Sequence, residues 1–335
     1  MIIINADNKV NITQVEQEHL AYFKQTLEDE LDHYMTSAKS PYKKVYSYLK
    51  DHIDDILIGQ PNALKGIIEH VTTQLKLALG KKSKTPTLDK NLRAIFNYKS
   101  KFVGSYPPKK WGAYQFVTML NVKVCPYCNR QYIFTICEES GKTRGKLDHF
   151  YDKATYPYLA LSMYNLIPCC SICNSDLKGS EAFTIDTHLN PYIEDFGGLF
   201  KFSVAMKSGD ELRPGDTSGI DYLLGVGDEF DIVIKDSCLD LQLKQRVENN
   251  LEIFKLRELY NMHKDYVVDL IKKRVIYSDT QIDELFKKYG GKLFSSREDV
   301  IATIISNYAT DQNLDKRVLS KLAKDISDEL NLNLV

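Results

Sequence analysis

Two Cys-x-x-Cys pairs constrain this chain more than any other feature of its sequence: Cys125 with Cys128, and Cys170 with Cys173. Such a turn brings two sulfurs close enough to share one ion, and Zn²⁺ favours four thiolates in a tetrahedron. A redox dithiol needs one pair only, and cysteines packed in a core need no fixed spacing. The spacing therefore predicts a closed structural zinc site that uses all four residues.

The other three cysteines, Cys137, Cys169 and Cys238, lie outside this spacing and are expected to be small buried side chains. The N-terminal segment lacks the basic and apolar stretches of a signal peptide, and no run of 18 apolar residues occurs. These features predict a cytoplasmic protein without a membrane segment. In that reducing compartment, metal ligation is favoured over disulfide formation.

Charge is distributed unevenly along the chain. The net charge is -1, which gives no global sign of a nucleic-acid binder. Residues 101–180, however, hold ten Lys and Arg against five Asp and Glu, a local excess of five positive charges. This basic excess surrounds the cysteine pairs. It is compatible with contacts to phosphate and equally with a solvated surface.

Three regions are predicted from the pattern of apolar residues. Residues 1–110 form a helical N-terminal region, because apolar residues recur every three or four positions. Residues 111–190 contain the cysteine pairs, and residues 191–335 contain two strands around a Gly-rich loop near 208–219, followed by helices. A long helix is expected from Leu239 to about Ile276.

Within the cysteine region, a β-branched and aromatic segment begins at Gln131 and is followed by turn-forming residues. This pattern predicts a hairpin that returns through Leu147 to Tyr151, with His149 on or just after a strand. The segment from Cys170 to Lys178 is typical of a short helix.

Polar residues lie between and beside the cysteine pairs in a characteristic order: Asp148 and His149, then Asn165, then Asn174 directly after Cys173. This order and spacing resemble the HNH endonuclease family over roughly residues 121–180. The resemblance implies a zinc-stapled ββα-metal core. Together with the helical N-terminal region and the mixed, then helical, C-terminal region predicted from the apolar pattern, this core predicts an α+β fold.

The resemblance also implies a role for each of these residues. His149 would be the general base that takes a proton from water, and Asn165 would hydrogen-bond to the His149 ring and fix its direction. Asp148 and Asn174 would supply oxygen ligands for a catalytic Mg²⁺ or Mn²⁺ ion. Asn174 stands where the name-giving family pattern has a histidine, and its harder oxygen favours these two metals.

The expected substrate is nucleic acid, with DNA favoured over RNA, and Arg130, Lys146 and Lys178 are the expected phosphate contacts. The motif is also similar to HNH nucleases of bacterial anti-phage defence loci, including the nuclease component of Septu-type systems. That similarity implies an ATPase-like partner or a second copy of the chain. Two alternatives remain at this point: a zinc-stabilised module that binds nucleic acid or protein without cleavage, and an HNH ribonuclease.

Overall fold

The first helix, α1 (Ile12–Ser37), shows how the sequence pattern builds this protein. The side chain of Asn11 accepts a hydrogen bond from the amide of Gln14 at 3.2 Å, which satisfies one of the free amides at the helix start. Its buried residues recur every four positions, so a single stripe of the helix faces the core: Val15, His19, Phe23, Leu27 and Leu31.

The computed structural model of this 335-residue chain describes residues 1–5, 10–38, 40–79, 86–103, 111–206, 229–308 and 310–330. Within them the fold is α+β, as predicted. The chain forms two compact units. The N-terminal unit comprises Asn8–Val122 and Ile133–Ile193, and the C-terminal unit comprises Met1–Asp7, Lys123–Tyr132 and Glu194–Val335.

The N-terminal unit begins with helices. After α1 come α2 (Ser40–Asp51), α3 (Ile53–Ile58), α4 (Pro61–Leu79), α5 (Pro86–Ile95), a π-helical turn (Lys99–Val103) and α6 (Ala113–Leu120). Four short strands follow: β1 (Ile136–Glu138), β2 (Gly141–Thr143), β3 (Lys146–His149) and β4 (Leu166–Cys169). A π-helix, Ile172–Lys178, comes directly after β4.

The predicted hairpin is wrong in its pairing. Among the described residues, β1 pairs with β2, because the turn between Glu138 and Gly141 closes a short ladder. β3 instead pairs antiparallel with β4, with His149 opposite Leu166. The physical reason is burial: β4 is buried along its whole length, and β3 is buried at all but its first residue, so these two strands satisfy each other's backbone groups inside the unit.

The C-terminal unit contains the second predicted pair of strands. β5 (Phe200–Met206) and β6 (Phe230–Asp236) form an antiparallel ladder along their full lengths. The Gly-rich loop predicted between them lies outside the described residues. The helices of this unit are α7 (Leu241–Ile253), α8 (Leu256–Asn261), α9 (Lys264–Ile276), α10 (Asp279–Tyr289), α11 (Arg297–Ile305) and α12 (Ser320–Glu329).

The long helix predicted from Leu239 to Ile276 is wrong, because the chain breaks it twice, between α7 and α8 and between α8 and α9. Lys255 adopts a left-handed backbone conformation with φ of 47°. The break places Phe254 in a stacked contact with Tyr127, with ring centroids 4.5 Å apart, and lets Tyr260 stack on Phe202 at 4.1 Å. Aromatic packing therefore outweighs the regular helical pattern.

Among the described residues, no helix combines the length and apolar character needed to cross a membrane.

His19 lies in the core of the N-terminal unit and is neutral there. Its Nε2 donates to the carbonyl oxygen of Leu161 at 2.7 Å, and its Nδ1 accepts from the indole of Trp111 at 3.1 Å. Burial lowers the pKa of His19 to about 4. Protonation would break the bond from Trp111, because both ring nitrogens would then be donors.

We expect acid to destabilise the protein through His19. Below pH 6.5 the unfolded chain binds a proton at this residue, whereas the folded chain does not bind one until about pH 4, so stability falls as the pH falls through this window. His19→Gln should be less stable than wild type at pH 7. The gap in unfolding free energy should narrow by roughly 2 kcal/mol at pH 5. Urea unfolding of both proteins at pH 7 and pH 5 measures this difference in free energy. A difference that is the same at both pH values would contradict the lowered pKa of His19.

Candidate active site and metal centre

The four predicted zinc ligands lie together. The sulfur atoms of Cys125, Cys128, Cys170 and Cys173 are all within 4.8 Å of one another, and all four residues are buried. Tetrahedral zinc with Zn–S bonds of about 2.3 Å requires sulfurs roughly 3.8 Å apart. The cluster could therefore hold a metal ion, and four thiols are a donor set compatible with zinc.

The first cysteine turn is held by hydrogen bonds within the C-terminal unit. The amide of Arg130 donates to Cys128 Sγ at 3.4 Å, the amide of Cys125 donates to Gln131 O at 2.9 Å, and the hydroxyl of Tyr260 donates to Cys128 O at 2.8 Å. An amide that points at a sulfur favours its thiolate form, which is the form that binds metal.

The second cysteine turn, in the N-terminal unit, repeats this arrangement: the amide of Cys173 donates to Cys170 Sγ at 3.4 Å. Cys169 and Cys238 are buried small side chains outside the cluster, as predicted, whereas Cys137 is only half-buried on β1. Burial raises the pKa of Cys169, so its thiol stays protonated.

His149 is the last residue of β3 and is buried. Its Nε2 lies 3.0 Å from the carbonyl oxygen of Ala160, in the loop between β3 and β4. Because a carbonyl oxygen only accepts hydrogen bonds, Nε2 carries the ring hydrogen. In the neutral ring, Nδ1 then holds the unshared electron pair. The fold thus determines which atom of His149 can act as a base.

Lys153 and Tyr98 lie beside the His149 ring. Nζ of Lys153 is 3.4 Å from Nδ1, and the ring of Tyr98 meets the imidazole edge to face, with centroids 4.6 Å apart. Burial, followed by the positive charge of Lys153, lowers the pKa of His149 to about 3. The imidazole is therefore neutral at pH 7, which is the protonation state that a general base requires.

Asn165 does not bond to the imidazole; its side chain holds the loop backbone instead. Oδ1 accepts from the amide of Tyr151 at 2.6 Å, and Nδ2 donates to the carbonyl oxygens of Tyr151 and Leu159, both at 3.0 Å. Leu159 directly precedes Ala160, whose carbonyl holds His149. The expected bond to the ring is thus replaced by an indirect one, through the loop.

Asp148 and Lys178 form a buried ion pair. Nζ of Lys178 donates to Asp148 Oδ1 at 2.8 Å and to the carbonyl oxygen of His149 at 2.9 Å, and it lies 4.7 Å from the ring centroid of Phe183. The side chains of Lys178 and Asp148 are only 3% and 5% exposed. A contact between Lys178 and a substrate phosphate would require this pair to open.

Asn174, in the Ile172–Lys178 π-helix, is half-buried. Its Nδ2 donates to the hydroxyl of Ser175 at 3.2 Å, and Oδ1 accepts no hydrogen bond from the described residues. An amide oxygen in this state is an available hard ligand.

The two other predicted phosphate contacts differ in their surroundings. Lys146 begins β3, is exposed, and forms no ion pair within the described part of the chain. Arg130 belongs to the C-terminal unit, and its Nε donates to Nε2 of His263 at 3.1 Å. Of the two, Lys146 is exposed, whereas Arg130 is half-buried and hydrogen-bonded.

Sequence reasoning missed three contributors to the His149 environment: Lys153, Tyr98 and the Ala160 carbonyl. One indication of Lys153 is present in the sequence, because this residue lies four positions after His149 within the basic segment. Tyr98 comes from the helical region about fifty residues earlier, where nothing in the local pattern marks it. A backbone carbonyl leaves no trace in a residue pattern at all.

Comparison of the chain with models of protein families, with curated proteins and with solved structures gives no match.

We expect the purified protein to carry about one zinc ion, because a buried four-thiolate site binds Zn²⁺ strongly. Cys173→Ser should lose the metal and melt at a lower temperature. Cys169→Ser, which changes a neighbouring buried cysteine outside the cluster, is the matched control and should keep the metal. Elemental analysis of the untreated proteins measures the zinc content of both variants, and thermal melts measure their stability. Zinc loss from the Cys169 variant would show that the ligand set is wrong.

Proposed function

We propose that this protein is a metal-dependent HNH endonuclease that hydrolyses phosphodiester bonds in nucleic acid, with DNA as the substrate. The observation that carries the proposal is the state of His149: a neutral imidazole at a strand end, with Nε2 bonded to a backbone carbonyl and Nδ1 unprotonated. The cysteine cluster supports it, since such a cluster accompanies this motif in the family that the sequence resembles.

His149 supplies the base. Nδ1 takes a proton from water as the water oxygen bonds to phosphorus, and the bond from phosphorus to the leaving oxygen breaks with its electron pair passing to that oxygen. The hydrogen bond from Nε2 to the Ala160 carbonyl stabilises the positive charge that develops on the ring. The same bond keeps Nδ1 directed at the water.

Asn165 acts as a positioning residue in this scheme. Its side-chain bonds fix the loop from Tyr151 to Leu159, which presents the Ala160 carbonyl to His149. A buried side-chain amide with its donors and acceptor all bonded specifies one loop conformation. The loop, rather than a direct contact, would set the direction of the imidazole.

The side-chain oxygens of Asp148 and Asn174 are donors of the kind that Mg²⁺ and Mn²⁺ prefer. Asn174 Oδ1 accepts no hydrogen bond from the described residues, and the carboxylate of Asp148 has about four lone-pair sites. Asp148 Oδ1 also accepts the hydrogen bond from Lys178. A Mg²⁺ or Mn²⁺ ion held by these two residues would neutralise charge on the phosphate and the leaving oxygen.

The charge of the Asp148–Lys178 pair is close to zero, which affects metal affinity. Lys178 neutralises the only carboxylate of the predicted pair of ligands, so the protein alone attracts a divalent cation weakly. Phosphate oxygens of the substrate would then supply the missing negative charge. We therefore infer that metal and nucleic acid bind together more tightly than either does alone.

The setting of bacterial anti-phage defence, with an ATPase-like partner or a second copy of the chain, is part of the proposal and rests on the sequence resemblance. The contacts expected from Arg130 and Lys146 are to phosphates, which carry no sequence information. The same core would act on RNA by the same chemistry, so the alternative result of the test is an HNH ribonuclease.

We expect His149→Gln to lose nucleic-acid cleavage, because an amide cannot accept a proton from water at neutral pH. Glutamine can still donate to the Ala160 carbonyl, so zinc content and melting temperature should stay close to those of wild type. His33→Gln, a change at an exposed histidine of α1, is the matched control and should cut normally. The measurement is nicking of plasmid DNA and of a matched RNA with Mg²⁺ or Mn²⁺, and EDTA should stop it.

The outcomes separate the candidate functions. Cutting of RNA alone identifies a ribonuclease. Metal-bound wild-type protein that binds nucleic acid but leaves it intact supports the binding module. A His149→Gln protein that cuts as fast as wild type, after removal of contaminating nuclease, shows that the base is wrong.

Asn165→Ala should slow cleavage by roughly 10- to 100-fold without abolishing it, because a loosened loop still samples the productive position of the ring. It should also lower the melting temperature, since it removes three hydrogen bonds of a buried side chain. Single-turnover rates and thermal melts measure both effects. A full rate combined with a lower melting temperature would make Asn165 purely structural.

A further inference from the structure

The atom that the proposed mechanism needs as a proton acceptor already has a neighbour. Nζ of Lys153 lies 3.4 Å from His149 Nδ1. An ammonium group has three donors and no acceptor, whereas Nδ1 holds the unshared electron pair of the neutral ring. Lys153 is therefore the donor, and it occupies the position from which a water molecule would have to approach.

Lys153 has no acidic partner among the described residues. Its side chain is exposed, and its other contact is with the ring of Tyr98, 5.8 Å from the centroid. The adjacent Asp152 turns its carboxylate toward the following residues, accepting from the amides of Ala154 at 3.1 Å and Thr155 at 2.8 Å. An ammonium without a counter-charge is suited to a phosphate oxygen.

Lys178 provides the contrast within the same region. Its ammonium is buried, paired with Asp148 and bonded to the His149 carbonyl, so it is fixed in place. Lys153 is exposed and makes one long hydrogen bond, and its ammonium is carried on a flexible four-carbon chain. Of the two lysines, only Lys153 can exchange its partner at low cost.

We propose that Lys153 covers Nδ1 of His149 in the free protein and transfers its ammonium to a non-bridging phosphate oxygen of a bound nucleic-acid strand, which uncovers the base. This inference rests on the proposed nuclease function. No covalent bond changes in the exchange: one hydrogen bond to nitrogen is replaced by one to oxygen. Water then donates to Nδ1 and takes the place of Nζ.

The exchange would link base activity to the presence of substrate. Without a phosphate, the electron pair of Nδ1 is engaged and cannot take a proton from water. With a phosphate, the positive charge of Lys153 contributes to binding and the base is released. Tyr98 assists as a positioning residue, because its ring contacts both the imidazole and the ammonium and limits where each can move.

Nitrogen NMR of protein labelled with ¹⁵N-histidine tests the covering bond. Lys153→Met removes the donor, and Lys90→Met, an exposed lysine on α5 of the same unit, removes the same charge elsewhere. The Nδ1 signal of His149 is identified by its loss in His149→Gln. We expect this signal to shift in Lys153→Met and to remain in place in Lys90→Met. Duplex DNA or RNA added in EDTA should move the wild-type signal toward its position in Lys153→Met.

Binding as a function of salt tests the phosphate contact. In EDTA, Lys153→Met should reduce the slope of log K against log salt by about one, and Lys153→Arg should restore it. With Mg²⁺, the nucleic-acid concentration for half-maximal single-turnover rate should rise about 10-fold, while the rate at saturation stays within about threefold of wild type. A purely structural role for Lys153 would not produce this split.

Each result bears on a separate statement. An Nδ1 signal that is the same in wild type and Lys153→Met overturns the covering bond, and an unchanged salt slope overturns the transfer to phosphate. Both measurements are made without cleavage. If the wild-type protein binds nucleic acid but never cuts it, the nuclease function is contradicted. The NMR and salt-dependence measurements can still be interpreted in that case. Failure to bind any nucleic acid contradicts both proposals.

Discussion

The antiparallel register of β3 against β4 determines the geometry of the candidate site. It sets Asp148 opposite Ile167 and His149 opposite Leu166. Because strand side chains alternate between faces, a shift by one residue would exchange the faces of Asp148 and His149. The bond from the amide of Phe150 to the Asn165 carbonyl, at 3.0 Å, continues the ladder beyond the strands. The loop that holds His149 therefore starts from a fixed point.

The buried Asp148–Lys178 pair is the second constraint on this site. Both charges are removed from water, which is costly, and the additional bond from Lys178 to the His149 carbonyl offsets part of the cost. Removing either partner would leave an isolated buried charge, at a cost of about 3–5 kcal/mol. The pair fixes the Ile172–Lys178 π-helix against β3. The positive charge of Lys178 also weakens the electrostatic attraction of Asp148 for a cation.

Two lysines near one imidazole thus have different tasks. Lys178 is structural because it is buried and donates to both Asp148 and the His149 carbonyl, whereas Lys153 is exposed and forms one long hydrogen bond, which in our proposal it exchanges for a ligand. Both lower the pKa of His149, although burial is the larger cause. Its surroundings keep His149 neutral, and in our proposal Lys153, only four residues away, controls access to its Nδ1.

The sequence by itself determined the parts that depend on local spacing: the α+β class, the amphipathic helices near the N-terminus, the four clustered cysteines and the position of His149 at a strand end. Cysteine spacing and apolar periodicity encode these features directly. Only the tertiary structure decided the partner of β3, the helix break at Lys255, the ring nitrogen of His149 that carries hydrogen and the burial of Lys178. Each of these depends on a contact between residues that are distant in the chain, or on a backbone carbonyl, and neither leaves a periodic signal in the sequence.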